Sequence, residues 1–307
     1  MQKATNATEI AGVRITSPGR VLYAEQGITK RELAEYYAAA SGWILPQLEG
    51  RLLTLIRCPR GRAKQCFVQR RAGAGTPGSV RRVEVEEQGE RVPFLTVDSL
   101  EGLLALVQLG TLELHTWSAR IDRLDRPDRM IFDLDPAPEL AFASVVRGAI
   151  EIRERLSALG LASFVKTTGG KGLHVVVPLA RRSGWEEVRE FARALAEEME
   201  RAEPGLYVAE ASKAQRAGKV YVDYLRNAYA ASAVAAYSTR ARPGAAVSTP
   251  LAWEELTAAL DPRDFTVRTV PDRLERLPRD PWADYPDVRQ ALTKAVRAGV
   301  RGERMPG

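Results

Sequence analysis

Two cysteines and two histidines are all that 307 residues supply, which leaves little from which to build a zinc site. Cys58 and Cys66 match no paired-cysteine zinc spacing, and two cysteines do not make a disulfide framework, so a reduced, cytoplasmic setting is expected. No apolar run reaches the length of a membrane span. The polar start, Met1-Gln2-Lys3-Ala4-Thr5-Asn6, lacks a signal-peptide core and is expected to fray. Membrane spans and disulfide-stapled scaffolds are thereby excluded as the basis of the fold. What is present is ordinary for a globular chain: 45% hydrophobic and 27% charged residues, at a length that can bury a large core. The 45 basic residues exceed the 39 acidic ones, giving a net charge of +6. That excess suits a polyanionic partner, and equally an arginine-rich composition with no such role.

The pattern of elements points to an α+β fold. Thr29 reads as the N-cap of a helix through Glu32, Leu33, Tyr36 and Tyr37 that ends before Gly42. Leu52-Leu53-Thr54-Leu55-Ile56 reads as a buried strand, followed by a basic turn and a second strand, Cys66-Phe67-Val68-Gln69. Val83-Glu84-Val85-Glu86 and Val92-Pro93-Phe94-Leu95 form a hairpin with an acidic tip at 87–90. Asp98 or Ser99 caps a helix that ends at Gly110, and Leu112-Glu113-Leu114-His115-Thr116-Trp117 is another strand. Helices are expected over about 138–159, 185–201 and 288–299, with strands at 129–136, 163–166, 173–178 and 219–224. Strands outnumber helices without strict alternation, which argues against a doubly wound sheet.

Chemistry concentrates in two places. Asp133-Leu134-Asp135-Pro136 ends an apolar strand; alternation turns both carboxylates to one side, and Pro136 stops the ladder there. Paired carboxylates repel unless a cation lies between them, and a hard divalent ion is the usual answer. Asp223 supplies a third strand-borne acid. Thr167-Thr168-Gly169-Gly170-Lys171-Gly172 joins two strands and is either a glycine hairpin turn or a phosphate cradle; the spacing is not that of a Walker A loop. His174 lies just past that loop and His115 on its own strand, both better suited to phosphate oxygens than to metal. Basic residues interleave with Phe67, Trp117, Tyr221 and Tyr224, as in nucleic-acid grooves, although the same rings serve equally well as core.

Taken in order, Ile131-Phe132-Asp133-Leu134-Asp135-Pro136, Lys166-Thr167-Thr168-Gly169-Gly170-Lys171-Gly172-Leu173-His174 and Val222-Asp223 resemble the three motifs of archaeo-eukaryotic primases. The closer resemblance is to the polymerase domain of bacterial ATP-dependent DNA ligase D, which acts in non-homologous end joining. Leu114-His115-Thr116-Trp117 and Ile56-Arg57-Cys58-Pro59-Arg60-Gly61 are similar to that family too, and the likeness runs from about Ile15 to about Arg297. It implies a primase-polymerase fold of mostly antiparallel sheets flanked by helices around a catalytic cleft. One domain over 1–307 is expected: a tail to about 14, a DNA-binding part over about 15–125, a catalytic core over about 126–261 and a C-terminal wrap over about 262–307.

The resemblance also implies roles. Asp133, Asp135 and Asp223 hold the metals, manganese before magnesium; Thr168, Gly170, Lys171, His174, Arg240 and His115 bind the nucleoside triphosphate. Arg20 and Lys30 form a pocket for a 5′-phosphate, Phe67 stacks where the template kinks, and Arg226 contacts DNA. Thr168 replaces the family's usual serine, and Val68 stands where a second aromatic often follows Phe67. The implied activity is template-dependent nucleotidyl transfer by a two-metal route, with ribonucleotides or deoxyribonucleotides as substrates and ribonucleotides preferred. The implied partners are DNA ends and gapped DNA, the ligase and phosphoesterase domains of the same system, and Ku, in a nucleoid-associated, cytoplasmic location with no membrane contact. A replicative primase subunit is the nearest rival, but those typically carry a zinc-binding cysteine/histidine cluster. A nucleic-acid-binding module with a decayed site and a metal-dependent phosphohydrolase are the others.

Overall fold

The structure is a computed structural model that describes residues 6–87 and 89–300; the start expected to fray, through residue 5, and Gln88 in the acidic tip lie outside the described residues. The chain divides into two compact units. One comprises Met1–Trp117, Ser232–Thr249 and Arg263–Leu277; the other comprises Ser118–Ala231, Pro250–Pro262 and Pro278–Gly307.

The first unit opens with two hairpins, β1 (Ala7–Ile10) with β2 (Val13–Thr16) and β3 (Val21–Tyr23) with β4 (Ile28–Thr29). Ala11 and Gly12 both take positive φ at the first turn, the backbone that a two-residue hairpin favours. Thr29 then caps α1 (Lys30–Ala39) through a capping box: its hydroxyl accepts from the Glu32 N–H while the Glu32 carboxylate accepts from the Thr29 N–H at 2.8 Å. The helix ends before Gly42, but the chain turns at Ala40 into a further helix, α2 (Ser41–Leu48), which contains both Gly42 and Pro46.

The sheet of this unit joins β5 (Leu53–Arg57), β6 (Phe67–Gln69), β7 (Arg81–Glu87), β8 (Glu90–Thr96), β9 (Thr111–Trp117) and the late strand Ser232–Val234. Its order is Ser232–Val234, β9, β5, β8, β7, with β6 also paired to β5. Between β8 and β9 runs α3 (Leu100–Gln108), capped by the Ser99 hydroxyl, and Leu103, Leu104, Leu106 and Val107 bury its apolar face.

Arg57 faces Phe67 in the β5–β6 ladder, so Cys58 and Cys66 flank the last pair with their Cα atoms 4.3 Å apart, and they form a disulfide. The expectation of two reduced cysteines is corrected by this pairing. The strand and the basic turn are separate features in the sequence; antiparallel pairing brings their ends together.

The second unit is built on β10 (Arg129–Pro136), β11 (Phe164–Thr167), β12 (Leu173–Pro178), β13 (Tyr207–Val208) and β14 (Val220–Asp223). Their order is β13, β14, β10, β12, β11, followed by the short strand Pro250–Leu251; only the β13–β14 pair is parallel. Two helices pack on this sheet, α4 (Phe142–Ala158) and α5 (Trp185–Ala202). In α5 the buried residues Val188, Phe191, Ala192, Leu195, Ala196 and Met199 recur at three- and four-residue spacing, one stripe of an amphipathic helix. α4 starts four residues later than the sequence indicates and stops at Gly160, whose φ is +73°. The last described helix, Lys294–Val300, begins six residues later than expected. Every residue of β12 is buried, which explains why its sequence reads as one apolar run without alternation.

Candidate active site

Strand register in the second unit brings the catalytic candidates into line. Asp133 of β10 pairs directly with Asp223 of β14 on one side and with His174 of β12 on the other, and His174 pairs with Lys166 of β11. Directly paired residues point to the same face, so Asp223, Asp133, His174 and Lys166 form one row across four strands. Asp135 lies two residues further along β10, on the same face, at the exposed strand end.

All four members of the row are buried, so their charges must be compensated within the fold. Arg226 supplies one counter-charge: its Nε lies 3.2 Å from Asp133 Oδ2 and 3.5 Å from Asp223 Oδ2. It sits on a turn just after β14 that Asn227 fastens to β10. The Asn227 carboxamide accepts from the Ile131 N–H and donates to the Ile131 carbonyl, both at 2.8 Å, and donates again to the Tyr224 carbonyl.

Burial works against ionisation of Asp133, but the His174 imidazole, Arg226 and Lys166 outweigh it and hold the carboxyl well below the usual range. Asp223 moves the other way: burial and the Asp133 carboxylate raise it, opposed by Arg226 and by the Leu225 N–H, which donates at 2.7 Å. Burial, then Lys166, pushes His174 down to about 4, against the pull of Asp133, so the imidazole is neutral near pH 7. Its Nε2 stands 3.3 Å from Asp133 Oδ1.

The donor set suits a hard divalent cation. Asp133 Oδ1 is buried without a hydrogen bond, an oxygen whose desolvation is offset when a metal binds. Among the described residues no three His, Cys, Asp or Glu side chains converge closely enough to form a cage. The folded chain therefore offers the Asp133–Asp223 pair with Asp135 beside it, and Arg226 balances the charge.

The glycine loop closes on itself next to this row. The Thr168 N–H and hydroxyl both donate to the Gly172 carbonyl, at 3.1 and 3.2 Å, and the Gly172 N–H approaches the Thr168 hydroxyl at 3.3 Å. Thr168 thus ties the loop ends together. Gly169 has φ of +66°, and a Cβ on Gly172 would lie 2.3 Å from the Leu134 carbonyl oxygen, so only glycine lets the loop return against β10. Gly170 is half-buried and Lys171 is exposed at the tip.

The remaining candidates belong to the first unit. Lys30 is buried, and its Nζ donates to the Thr16 carbonyl at 2.9 Å and lies 3.4 Å from Gln108 Oε1. Arg20 donates to the Pro59 carbonyl at 2.8 Å. Burial, then the nearby Arg20 charge, lowers the Lys30 ammonium, and neither cation pairs with a carboxylate among the described residues. Phe67 is 43% exposed with the Arg57 guanidinium 5.2 Å from its ring centre, and Val68 beside it is also exposed. Glu113, which the sequence reading passed over, joins His115 and Arg240: its Oε2 accepts from His115 Nε2 at 2.7 Å and from Arg240 Nε at 2.9 Å. Lys166, Asn227 and Glu113 were all missed. Of the three, Glu113 left a signal, because it alternates with His115 on one face of β9.

Acids and cations sharing one line across a sheet, with a glycine loop at its edge, are what metal-dependent nucleotidyltransferases use. The pattern of the family described as LigD, primase-polymerase domain, matches residues 29–282, and the chain belongs to that family. It is 41% identical over 289 residues to the multifunctional non-homologous end joining protein LigD of Pseudomonas aeruginosa, covering 94% of this chain and 34% of that protein. It is 30% identical over 265 residues to the bifunctional non-homologous end joining protein LigD of Bacillus subtilis, covering 86% of this chain and 43% of that protein. The chain therefore spans between about a third and somewhat under half of these relatives. The polymerase domain of Mycobacterium tuberculosis ligase D, solved in complex with DNA, superposes with a TM-score of 0.80 at 29% identity, covering 86% of this chain and 94% of that one. The α+β primase-polymerase fold follows from that match. No helix among the described residues is long and apolar enough to cross a membrane.

Proposed function

We propose that this chain extends and fills DNA ends during bacterial non-homologous end joining by template-directed nucleotidyl transfer. The observation that carries this reading is the row Asp223, Asp133, His174, Lys166, set by register across four strands. Asp133 and Asp223, with Asp135, hold the divalent cations; manganese is favoured over magnesium. When bound, these ions supply Lewis acidity towards the primer hydroxyl and the departing pyrophosphate. The protein's own contribution is placement. Asn227 fixes the turn that carries Arg226, and Arg226 offsets the repulsion between the two neighbouring carboxyl groups. Lys171 and the neutral His174 meet phosphate oxygens, while Thr168 and Gly172 hold the loop shut around Gly170. His115 and Arg240, within the first unit, are the further nucleotide-binding residues that the family resemblance implies.

A buried cation beside an exposed one, both kept without a carboxylate partner among the described residues, fits a bound dianion, which supports Lys30 and Arg20 as a receptor for a 5′-phosphate on DNA. Phe67, exposed over Arg57, fits a base-stacking ring. Ribonucleotide preference, cooperation with ligase and phosphoesterase domains, and contact with Ku rest on the family resemblance and on the end-joining relatives.

The test is extension of a gapped, 5′-phosphorylated DNA with manganese and each ribonucleotide or deoxyribonucleotide in turn, with the wild type beside Asp133→Ala/Asp135→Ala. Template-matched addition that favours ribonucleotides and is lost in the double variant is expected. Unchanged addition by the variant removes the carboxylates from the chemistry. Nucleotide cleavage without a template replaces the polymerase reading with a phosphohydrolase.

A further inference from the structure

The cluster on β9 contains an acid where an anion is expected to bind. Glu113 is buried, and its carboxylate receives three donors: His115 Nε2 and Arg240 Nε on Oε2, and the Ala241 N–H on Oε1 at 2.8 Å. Two of the donors are the residues that the proposed function sets against nucleotide phosphates. A carboxylate between two phosphate-binding groups weakens their attraction for an anion by simple Coulomb repulsion. Its presence is explained if it fixes their geometry, since a long arginine left to rotate loses most of the benefit of its fork.

The connectivity supports that account. Glu113 and His115 are two residues apart on one strand, so backbone pairing already orients both. Arg240 comes from a different stretch of chain, and the Glu113–Ala241 bond pins the backbone beside it. The Glu113 carboxylate thus registers His115 of its own strand against Arg240, which lies 127 positions beyond Glu113 in the chain. Burial works against ionisation of Glu113, but His115, Arg240 and the Ala241 N–H together hold it at about 2, so the acid is charged near neutral pH in the unliganded protein.

We propose that Glu113 is a positioning residue for nucleotide binding: it orients Arg240 and His115 toward the phosphates and does not itself touch the substrate. The inference rests on the proposed nucleotide-binding role of those two residues. A purely structural alternative is that Glu113 only ties the 239–242 segment to β9.

The discriminating experiment measures equilibrium binding of ATP with manganese, together with KM and kcat for adding AMP to a one-nucleotide gap. The proteins are the wild type, Glu113→Gln, His115→Ala/Arg240→Ala, and the triple combination. Positioning predicts that Glu113→Gln raises KM and the dissociation constant for ATP about tenfold with kcat changed less than about threefold, the scale of losing charge-assisted bonds. In the double-variant background the same change should add less than about twofold, because the partners it acts through are gone. An equal penalty in both backgrounds, or no penalty in the first, overturns the inference. Arg240→Lys gives a second reading should Glu113→Gln fold poorly: it keeps the charge but lacks Nε, so ATP binding should still weaken, and wild-type binding by that variant overturns positioning. A wild type that neither binds ATP nor extends DNA overturns the proposed function itself, and with it this inference. A wild type that does both beside an unaffected Glu113→Gln overturns the inference alone.

Discussion

The two units handle buried charge in opposite ways. In the second, the acids of the buried row lie against cations: Arg226 meets both Asp133 and Asp223, and Lys166 stands in the same row beyond the neutral His174. In the first, Lys30 is buried beside Arg20 with only neutral oxygens for company. Compensated charges keep a shape ready in the absence of ligand; uncompensated ones store a cost that a phosphate would relieve. Glu113 brings the compensated style into the first unit, at the cluster assigned to nucleotide phosphates and not at the one assigned to DNA.

That contrast can be tested in order of expected effect. Glu113 comes first. Its folded value near 2 lies below the ordinary 4.5, so it contributes stability above about pH 4.5 that disappears as pH falls towards 2; the full difference is worth about 3 kcal/mol. Urea unfolding of the wild type and Glu113→Gln should therefore differ most near neutral pH and converge in acid. A constant gap would mean that the carboxylate is not compensated as described.

Asn227→Ala should follow. It removes three hydrogen bonds from a fully buried side chain and leaves the Ile131 N–H and carbonyl without partners, at a cost of about 2 to 3 kcal/mol. The turn carrying Arg226 should loosen with it, so extension should suffer beyond the loss of stability. Calorimetry beside gap filling at a temperature where the variant is fully folded separates the two effects.

Lys30→Met is expected to show the smallest change in stability and the sharpest contrast. Removing a buried cation that lacks a counter-charge should leave the unfolding midpoint the same or higher, while preference for a 5′-phosphorylated gap falls about tenfold. A clear loss of stability would place Lys30 with the compensated charges and erase the distinction between the units.

Much of this was written locally in the chain. The Asp-x-Asp strand end, the glycine loop, His174 and the Thr29 cap each depend on residues within a few positions of one another, and the structure has them where the sequence puts them. What could not be read depends on pairing between distant segments. Lys166 joins the row only because β11 lies beside β12 in a fixed register, and Glu113 meets Arg240 only because the chain returns past β9. Cys58 and Cys66 are close in sequence, yet their meeting also needed a ladder that composition does not announce. Element ends slipped where caps were weak: α4 begins at Phe142 with no side-chain cap, four residues inside the expected start.

The row across the second sheet has a consequence for how this site tolerates change. Its four residues come from four strands, and a shift of one position in any pairing turns that residue to the opposite face. The 168–172 turn joins two of those strands, and Thr168 and Gly172 are bonded to each other across it. The length of that turn therefore works as a reading frame in three dimensions. Substitutions within it alter a contact; a single inserted or deleted residue changes which side chains face the row at all.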